Sequence, residues 1–249
     1  MEENTKKVAF ITGANRGIGF ETARQLGKKG IKIILGSRDK AKGDAAAQKL
    51  KEEKIDVISF PFDINQLSDH QKIYNYIEKN LGKLDILINN AAVSLDSANV
   101  EFSNHTSTTS QEVLRKTFDT NFFNPIALTQ KLLPLIRKAP AGRIVNLSSV
   151  LGSLTLHSDP QSPIYEVKVL AYNSSKTAMN AFTIHLAHEL KDTPIKVNSA
   201  HPGWVKTDMG GSDAPLEIPD GAKTSVQLAL LPSDGPTGGY YHLGEKLPW

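Results

Sequence analysis

Short apolar runs alternate with longer amphipathic stretches along this chain. The runs lack an alternating polar face, which is typical of parallel strands covered on both sides. They span residues 8–11, 31–35, 57–60, 84–89, 143–147 and 196–199, with a last short strand at 240–241. The stretches between them predict helices at 18–29, 41–53, 67–80, 111–137, 171–190 and 222–230. Pro125 and Pro134 fall inside one predicted helix and should bend or break it.

This alternation predicts an α/β protein with a doubly wound parallel sheet flanked by helices. No internal repeat or long linker divides the chain, so we expect one domain over residues 1–249. In such sheets a ligand binds at the carboxyl ends of the strands. The polar segments 94–110 and 153–171 follow strands, and we expect both to overhang that edge.

The composition limits the chemistry. The chain has 249 residues, a formal net charge of +3 and no cysteine. A charge this small argues against a nucleic-acid-binding surface. Without cysteine there are no disulfides, thiolate nucleophiles or cysteine-bound metals, and the histidines offer too few ligands for a metal site. No apolar run is long enough to cross a membrane, so we expect a cytoplasmic enzyme that acts on a small molecule.

A glycine-rich turn, Thr12 to Gly19, follows the first predicted strand and opens the first predicted helix. Glycines at positions 13, 17 and 19 let the backbone approach an anion, and the helix N-terminus supplies free N–H groups. This spacing after a strand predicts a binding site for the pyrophosphate of a dinucleotide. A purely structural bend is the alternative that the glycines alone leave open.

The end of the second predicted strand bears on the choice of dinucleotide. NAD sites usually carry an acid there for the ribose 2′-hydroxyl, whereas a basic residue suits a 2′-phosphate. Here Ser37 stands at the acidic position and Arg38 follows it. Arg16 of the glycine turn should reach the same phosphate, because a guanidinium offers it paired donors. These residues favour NADP(H), unless Arg38 is a surface arginine paired with Asp39.

Tyr172 and Lys176 lie downstream of the serine pair Ser148–Ser149. Their i, i+4 spacing puts the phenol and the ammonium on one helix face. A free tyrosine has a pKa near ~10. We expect the ammonium, together with a positively charged nicotinamide, to lower the pKa of Tyr172. Tyr172 is the only one of the six tyrosines with a lysine four residues on, which favours an acid–base role over core packing.

These residues, in this order, resemble the short-chain dehydrogenase/reductase family over nearly the whole chain. The matching elements are Thr12 to Gly19, Asp63, Asn89-Asn90-Ala91-Ala92, Asn121, Ser149, Tyr172-x-x-x-Lys176 and Pro202-Gly203. Ala92 departs from the glycine that the family usually has there. The segments Gly142 to Ser149 and Pro202 to Met209 are similar to carbonyl reductases and to plant reductases of the menthone and salutaridine type.

The resemblance implies a single-domain Rossmann fold and NADPH-dependent reduction of a ketone or aldehyde. It implies that Tyr172 donates the proton, that Lys176 tunes it and holds the nicotinamide ribose, and that Ser149 binds the substrate oxygen. The family uses the second serine of the pair, so Ser148 is the lesser alternative. Asn121 would hold a water that connects the lysine to solvent. The implied cofactor-binding residues are Gly13, Asn15, Arg16, Gly17, Ile18, Gly19, Arg38, Asp63, Ile64, Asn90, Ala91, Tyr172, Lys176, Pro202, Gly203, Val205 and Thr207.

The segment between the serine pair and the tyrosine is longer than in the simplest family members. Its added loop, 158–165, should wall an apolar substrate pocket together with Trp204, Met209 and the segment 204–220. The loop also lies where it would block a helix–helix dimer face, which favours a monomer and leaves a homo-oligomer as the alternative. Two alternatives stay open: an NADP-dependent alcohol dehydrogenase or enone reductase, and a non-catalytic NADP-binding regulatory module.

Overall fold

Strands and helices alternate along the computed structural model, which describes residues 6–96 and 106–249. In this part of the chain the strands are β1 (Val8–Ile11), β2 (Lys32–Ser37), β3 (Val57–Pro61), β4 (Ile86–Asn89), β5 (Arg143–Leu147), β6 (Lys196–Ala200), β7 (Tyr240–His242) and β8 (Glu245–Lys246). The α-helices are α1 (Gly17–Lys28), α2 (Lys40–Glu52), α3 (Leu67–Asn80), α4 (Gln111–Phe118), α5 (Asn124–Ile136), α6 (Leu154–Ser158), α7 (Leu170–Glu189) and α8 (Ile218–Ala229). None of these helices is both long and apolar enough to cross a bilayer.

These strands join in one sheet, in the order β3-β2-β1-β4-β5-β6-β7-β8. Neighbouring strands are parallel, except that β7 and β8 form an antiparallel pair at one edge. The predicted α/β fold with a doubly wound sheet is therefore confirmed. The strand order reverses between the adjacent strands β1 and β4, and ligands bind such sheets at the carboxyl ends beside this point.

The first strand shows why the predicted strands are apolar throughout. All the residues of β1 are buried, and successive side chains enter different cores. Ala9 and Ile11 pack in the cluster that includes side chains of α1, α2 and α8, whereas Val8 and Phe10 pack in the cluster that includes α3, α5 and α7. Because helices cover both faces of the sheet, a ligand approaches at the strand ends.

A series of buried amide and hydroxyl groups fixes α7 against the sheet. Asn89 Nδ2 donates to Asn146 Oδ1 at 2.8 Å, which joins the ends of β4 and β5. Asn146 Nδ2 donates to Thr183 Oγ1 of α7 at 2.8 Å, and Ser199 Oγ of β6 donates to the same oxygen at 2.9 Å. A buried polar group left without a partner costs ~1–3 kcal/mol, so these bonds specify where α7 lies over β5 and β6.

The long helix predicted across Pro125 and Pro134 contains a π-helical turn, Asp119–Phe123, between α4 and α5. In this turn the Asn124 N–H donates to the carbonyl of Asp119, five residues back. A continuous α-helix would need an N–H on Pro125 for the carbonyl of Asn121, and proline has none. The wider turn accommodates that mismatch. Pro134 lies inside α5 without ending it.

The segments predicted to overhang the strand ends carry structure of their own. Ser153 caps α6, because its hydroxyl accepts a hydrogen bond from the Leu156 N–H at 3.2 Å. This helix is too short for hydrophobic periodicity to reveal. In the other segment, 94–110, a 3-10 turn covers Thr106–Thr108, and residues 97–105 lie outside the described part of the chain.

Candidate active site

The glycine turn between β1 and α1 adopts conformations that suit glycine. Gly13 and Gly17 have φ angles of 62° and 58°, in the left-handed region. At Gly19 an added Cβ would lie 2.5 Å from Asn90 Nδ2 and 2.7 Å from Gly13 O, too close for any side chain. Among the described residues no side chain caps α1, so the N–H groups of its first turn stay available to an anion.

Thr12 and Asn90 hold this turn against β4. Thr12 Oγ1 accepts hydrogen bonds from the backbone N–H groups of Asn90 at 3.0 Å and Ala91 at 2.9 Å. Asn90 Nδ2 donates to Thr12 O at 2.7 Å and to Gly13 O at 3.1 Å. The amide nitrogen of Asn90 therefore bonds to the glycine turn. The side chain of Asn90 thus fixes the shape of the dinucleotide site that it was predicted to line.

A cleft of about 870 Å³ opens along the carboxyl ends of the strands. Its volume falls in the range of small-molecule and cofactor sites, ~300–1,000 Å³. Most predicted site residues line it, namely Gly13, Asn15, Arg16, Gly17, Ile18, Gly19, Arg38, Asp63, Ile64, Asn90, Ala91, Tyr172, Lys176, Pro202 and Thr207. Four others, Asn121, Ser149, Gly203 and Val205, do not line it.

The end of the cleft beside β2, the β2 end, is basic. Arg38 and Lys42 both line it and are exposed. Asp39, the alternative partner of Arg38, instead caps α2, because it accepts a hydrogen bond from the Lys42 N–H at 3.0 Å. Its carboxylate also lies 3.7 Å from Lys42 Nζ. Lys42 was not among the predicted site residues, because a lysine on a lysine-rich helix gives no sequence signal that sets it apart from solvated surface.

Arg16 extends across the mouth of the cleft. Its guanidinium pairs with the carboxylate of Asp208, in the loop that follows β6. The two side chains are 71% and 73% exposed, and exposed pairs of this kind contribute at most about 1 kcal/mol. The predicted contact between Arg16 and a 2′-phosphate therefore competes with a weak ion pair.

The opposite end of the cleft, the β5 end, holds a buried cation. Lys176 is 3% exposed, and its Nζ donates to Leu147 O at 2.7 Å, where β5 ends. The same nitrogen lies 5.6 Å from the centre of the Tyr172 ring. Burial lowers the pKa of Lys176 from 10.5 to about 8. The side chain is therefore cationic at neutral pH but releases its proton more readily than a free lysine.

Tyr172 is half-buried and lines the cleft beside this cation. Burial raises the pKa of Tyr172 from 10.0 to about 12, and a side-chain hydrogen bond with Ser149 acts in the opposite direction. Burial acts on the phenol itself and so opposes the lowering expected from Lys176, whose ammonium is bound to the Leu147 carbonyl. The joint effect of that ammonium and a positively charged nicotinamide stays a prediction.

Ser149 begins a 3-10 turn directly after β5. It is 9% exposed, and its Oγ accepts a hydrogen bond from the Leu151 N–H at 3.3 Å. His201 supports this turn, because its Nδ1 accepts from the Val150 N–H at 3.1 Å. Burial, reinforced by His242, lowers the pKa of His201 to about 3, so the ring stays neutral and keeps this lone pair.

The two adjacent serines differ in their surroundings. Ser148 lines the cleft, yet its hydroxyl is buried and has no hydrogen-bond partner among the described residues. Ser149, and not Ser148, acts on Tyr172 to lower its pKa. Ser149 is therefore the better placed of the two to act together with the phenol.

Asn121 lies in the π-helical turn and connects two neighbouring elements. Its Oδ1 accepts from the Val93 N–H at 2.8 Å, and its Nδ2 donates to Val93 O at 2.8 Å and to Ser175 Oγ of α7 at 3.0 Å. The side chain is thus fully occupied. The backbone carbonyl of Asn121 has no α-helical partner, because Pro125 lacks an N–H. A water held by Asn121 would therefore bind to this carbonyl.

Gly203 and Val205 shape the loop after β6 from behind the cleft. Gly203 has a φ of 88°, and a Cβ there would lie 2.3 Å from Leu216 Cδ1. Val205 is 3% exposed and packs against the first turn of α8. Both residues therefore support Pro202 and Thr207, which do line the cleft.

Apolar surface is exposed in the same loop. Trp204 is 57% exposed and Met209 49% exposed, and Met209 lines the cleft. Trp204 Nε1 donates to Gly210 O at 2.7 Å, which folds this loop back on itself. Met209 thus adds an apolar side chain to the cleft, whereas Trp204, which was predicted to wall the pocket, does not line it.

The described residues contain no group of His, Asp and Glu side chains that could hold a metal ion.

Known proteins are similar to this chain in sequence and in fold. A family model for short chain dehydrogenase matches residues 7–215. Carbonyl reductase (NADPH) 1 of Sus scrofa is 32% identical, over 100% of this chain and 96% of its own length. (+)-Neomenthol dehydrogenase of Capsicum annuum is 29% identical, over 98% of this chain and 99% of its own. The structure of carbonyl reductase Sniffer of D. melanogaster has a TM-score of 0.83 at 28% identity, over 98% and 99% of the two chains. This protein belongs to the short chain dehydrogenase family.

Proposed function

We propose that this protein is an NADPH-dependent reductase that converts ketones or aldehydes to alcohols, with Tyr172 as the proton donor. The pairing of Tyr172 and Lys176 at the β5 end of the cleft carries the proposal. The opposite end offers a glycine turn with the cations Arg38 and Lys42, which suits a phosphorylated dinucleotide. The relative named carbonyl reductase (NADPH) 1, which aligns over the whole chain, supports the same activity.

The lining of the cleft fits NADPH. The glycine turn presents N–H groups to the pyrophosphate in a space that a Cβ at Gly19 would obstruct. Arg38 and Lys42 would bind the 2′-phosphate. The adenosine would lie along Asp63, Ile64, Asn90 and Ala91. The nicotinamide end would lie along Lys176, Pro202 and Thr207, with Gly203 and Val205 supporting that loop from behind. When bound, this cofactor supplies the hydride.

Tyr172 supplies the proton that the carbonyl oxygen needs as charge develops on it. With a pKa of about 12 the phenol is protonated at neutral pH, as a donor must be. Lys176, with a pKa of about 8, is cationic at the same pH and stabilises the phenolate that remains. Ser149 donates a hydrogen bond to the same carbonyl oxygen and steadies it for the transfer.

Asn121 completes the proton path in this proposal. Its carbonyl oxygen, left without an α-helical partner by Pro125, would hold a water. That water would return protons from solvent to Lys176. The side chain of Asn121 keeps the turn in place through Val93 and Ser175.

A panel of ketones and aldehydes with NADPH tests the proposal. We expect loss of NADPH absorbance and formation of the matching alcohol with at least one bulky apolar carbonyl, given the exposed apolar side chain of Met209 in the cleft. NADH in place of NADPH should give lower activity, because it lacks the phosphate for Arg38 and Lys42. Purified protein that consumes no nicotinamide cofactor with any carbonyl or alcohol would contradict the proposal.

A second activity within the family is favoured by a specific relative. The relative named (+)-neomenthol dehydrogenase aligns over nearly the whole chain, which supports a role as an NADP-dependent alcohol dehydrogenase. Catalysis by Tyr172 serves either direction, since the phenolate accepts the proton that the phenol gives. Product analysis with an enone would also distinguish reduction of C=O from reduction of C=C.

A non-catalytic NADP-binding regulatory module is the alternative from another class. Such a module would have no need for an intact Tyr172 and Lys176, and this chain has both. The two functions differ in one measurement. A regulatory module would bind NADPH and leave it unoxidised with every carbonyl tested.

The monomeric state stays a prediction from the loop 158–165 and its neighbours. The segment forms α6 and turns between the serine pair and α7. Light scattering of the purified protein decides it, and a mass near twice the chain mass of 27.2 kDa would contradict it.

A further inference from the structure

Asn65 links the cleft to the π-helical turn. It follows Asp63 and Ile64 in the loop after β3, and it lines the cleft. Its Oδ1 accepts two hydrogen bonds, from Thr120 Oγ1 at 3.1 Å and from Asn124 Nδ2 at 2.9 Å. One side-chain oxygen therefore holds both ends of the turn that contains Asn121.

The two donors lie on one face of the turn, and Asn121 lies on another. Thr120 and Asn124 are four residues apart, so their side chains point the same way, towards Asn65. Asn121 points instead into the protein, where its Nδ2 donates to Ser175 Oγ at 3.0 Å. Contacts on both faces therefore fix the rotation of the turn about its axis.

The path continues to the tyrosine. Ser175 Oγ accepts from Asn121 and donates to the backbone carbonyl of Tyr172 at 2.7 Å. Hydrogen bonds thus join the loop after β3 to the first turn of α7 through Asn65, the π-helical turn and Ser175. The two elements are more than 100 positions apart in sequence, with Asn65 and Tyr172 at the ends.

We infer that Asn65 is a positioning residue: it holds the π-helical turn and, through Asn121 and Ser175, the first turn of α7 with Tyr172. The inference rests on the proposed function, because what it positions is the proposed proton donor. A π-helical turn is rare and occurs mostly as a single-turn bulge inside an α-helix, frequently at a functional site. Without Asn65 the turn loses its anchor on the cleft side, and Asn121 and Tyr172 lose their fixed spacing.

Three single variants and one double variant test the inference on turnover. Asn65→Ala removes the shared acceptor, Thr120→Val removes one donor at nearly constant volume, and Thr120→Ser keeps that donor. We expect Asn65→Ala and Thr120→Val to lower kcat by about tenfold or more, since small misplacement of reacting groups is costly. Thr120→Ser should retain most of the turnover. The double variant Asn65→Ala/Thr120→Val should lose less than the two single losses combined, because both act on one contact.

Cofactor affinity separates positioning from direct binding. The Kd for NADPH of Asn65→Ala should stay within about threefold of the wild-type value. Asn75→Ala, which removes an exposed asparagine of α3 that pairs with Gln71, is the matched control and should leave both constants unchanged. A kcat of Asn65→Ala within twofold of wild type, or a loss confined to the Kd, would overturn the inference.

Hydrogen exchange provides a second measurement that needs no turnover. Amides of residues 120–124 should exchange faster in Asn65→Ala than in wild type, and at the wild-type rate in Asn75→Ala. Unchanged exchange in Asn65→Ala overturns the inference whether or not the protein reduces carbonyls. Inactivity of the wild-type protein on the carbonyl panel, by contrast, overturns the proposed function alone.

Discussion

The two ends of the cleft contain cations in opposite surroundings. At the β2 end Arg38 and Lys42 are exposed, and the exposed fraction of the Lys42 side chain is 71%. At the β5 end Lys176 is 3% exposed and bound to the carbonyl of Leu147. Exposed cations stay hydrated and cost little to maintain, whereas a buried ammonium carries a desolvation penalty that lowers its pKa.

This difference separates the two tasks of the site. In the proposed function, cations at the β2 end would contribute to affinity, because they would meet a charged ligand in a region that salt can screen. In the proposed function, Lys176 and Tyr172 would contribute to chemistry, because the buried ammonium would stabilise the phenolate that forms when Tyr172 gives up its proton. Changes at the β2 end should therefore alter the Kd for NADPH, and changes at the β5 end should alter turnover.

The largest expected effect comes from Tyr172→Phe. The variant keeps the ring and removes the proton donor, so kcat should fall about 100- to 10,000-fold. The Kd for NADPH should change little, because the phenol is remote from the phosphate-binding end. Tyr76→Phe, in α3 against Phe60, is the matched control and should behave as wild type. A Tyr172→Phe protein with substantial turnover would remove Tyr172 as the proton donor.

Arg38→Asp should have the next largest effect. A charge-assisted hydrogen bond contributes ~1.5–3 kcal/mol, so the Kd for NADPH should rise about 10- to 100-fold with kcat at saturation nearly unchanged. The difference from wild type should shrink at high ionic strength. Lys40→Asp makes the same charge change on an exposed lysine that does not line the cleft, and should have little effect. Equal Kd values for the Arg38 variant and wild type would refute the assigned 2′-phosphate site.

The smallest expected effect is the change in the free energy of unfolding caused by Lys176→Met. Moving the pKa from 10.5 to about 8 corresponds to ~3 kcal/mol against the folded state at pH 7. Loss of the hydrogen bond to Leu147 offsets ~1–2 kcal/mol of that gain. We therefore expect the variant to be inactive but about 1–2 kcal/mol more stable at pH 7, by urea unfolding.

The pH dependence checks the sign of this stability effect. Between pH 8 and about 10.5 the unfolded lysine binds more protons than the folded one, so wild-type stability rises with pH. The advantage of the methionine variant should therefore shrink between pH 7 and pH 9.5. An advantage that is independent of pH, or a variant less stable than wild type at pH 7, would contradict the assigned burial penalty.

The sequence predicted the β2 end more completely than the β5 end. The glycine turn is a local motif, and its φ angles and close contacts follow from residues within a few positions of one another. Arg38 also follows directly from its place after β2. Lys42 escaped the prediction because a single lysine on a lysine-rich helix resembles solvated surface until the helix is placed beside the cleft.

The β5 end depends on contacts between distant segments. The i, i+4 spacing predicted that Tyr172 and Lys176 share a face, but the direction of the tyrosine pKa shift depends on how deeply α7 is buried. Pro125 indicated a disturbance in the helix, yet a proline alone does not distinguish a break from a π-helical turn. The bonds of Asn121 to Val93 and Ser175 follow from the packing of three elements, which no local pattern encodes.

The separation of affinity from chemistry is tested most directly by the double variant Arg38→Asp/Tyr172→Phe. Its Kd for NADPH and its kcat at saturating NADPH should be measured beside those of both single variants. The account predicts the Kd of Arg38→Asp combined with the kcat of Tyr172→Phe, because distant sites contribute independently. A double variant whose Kd or kcat departs several-fold from those values would show that the two ends of the cleft do not act separately.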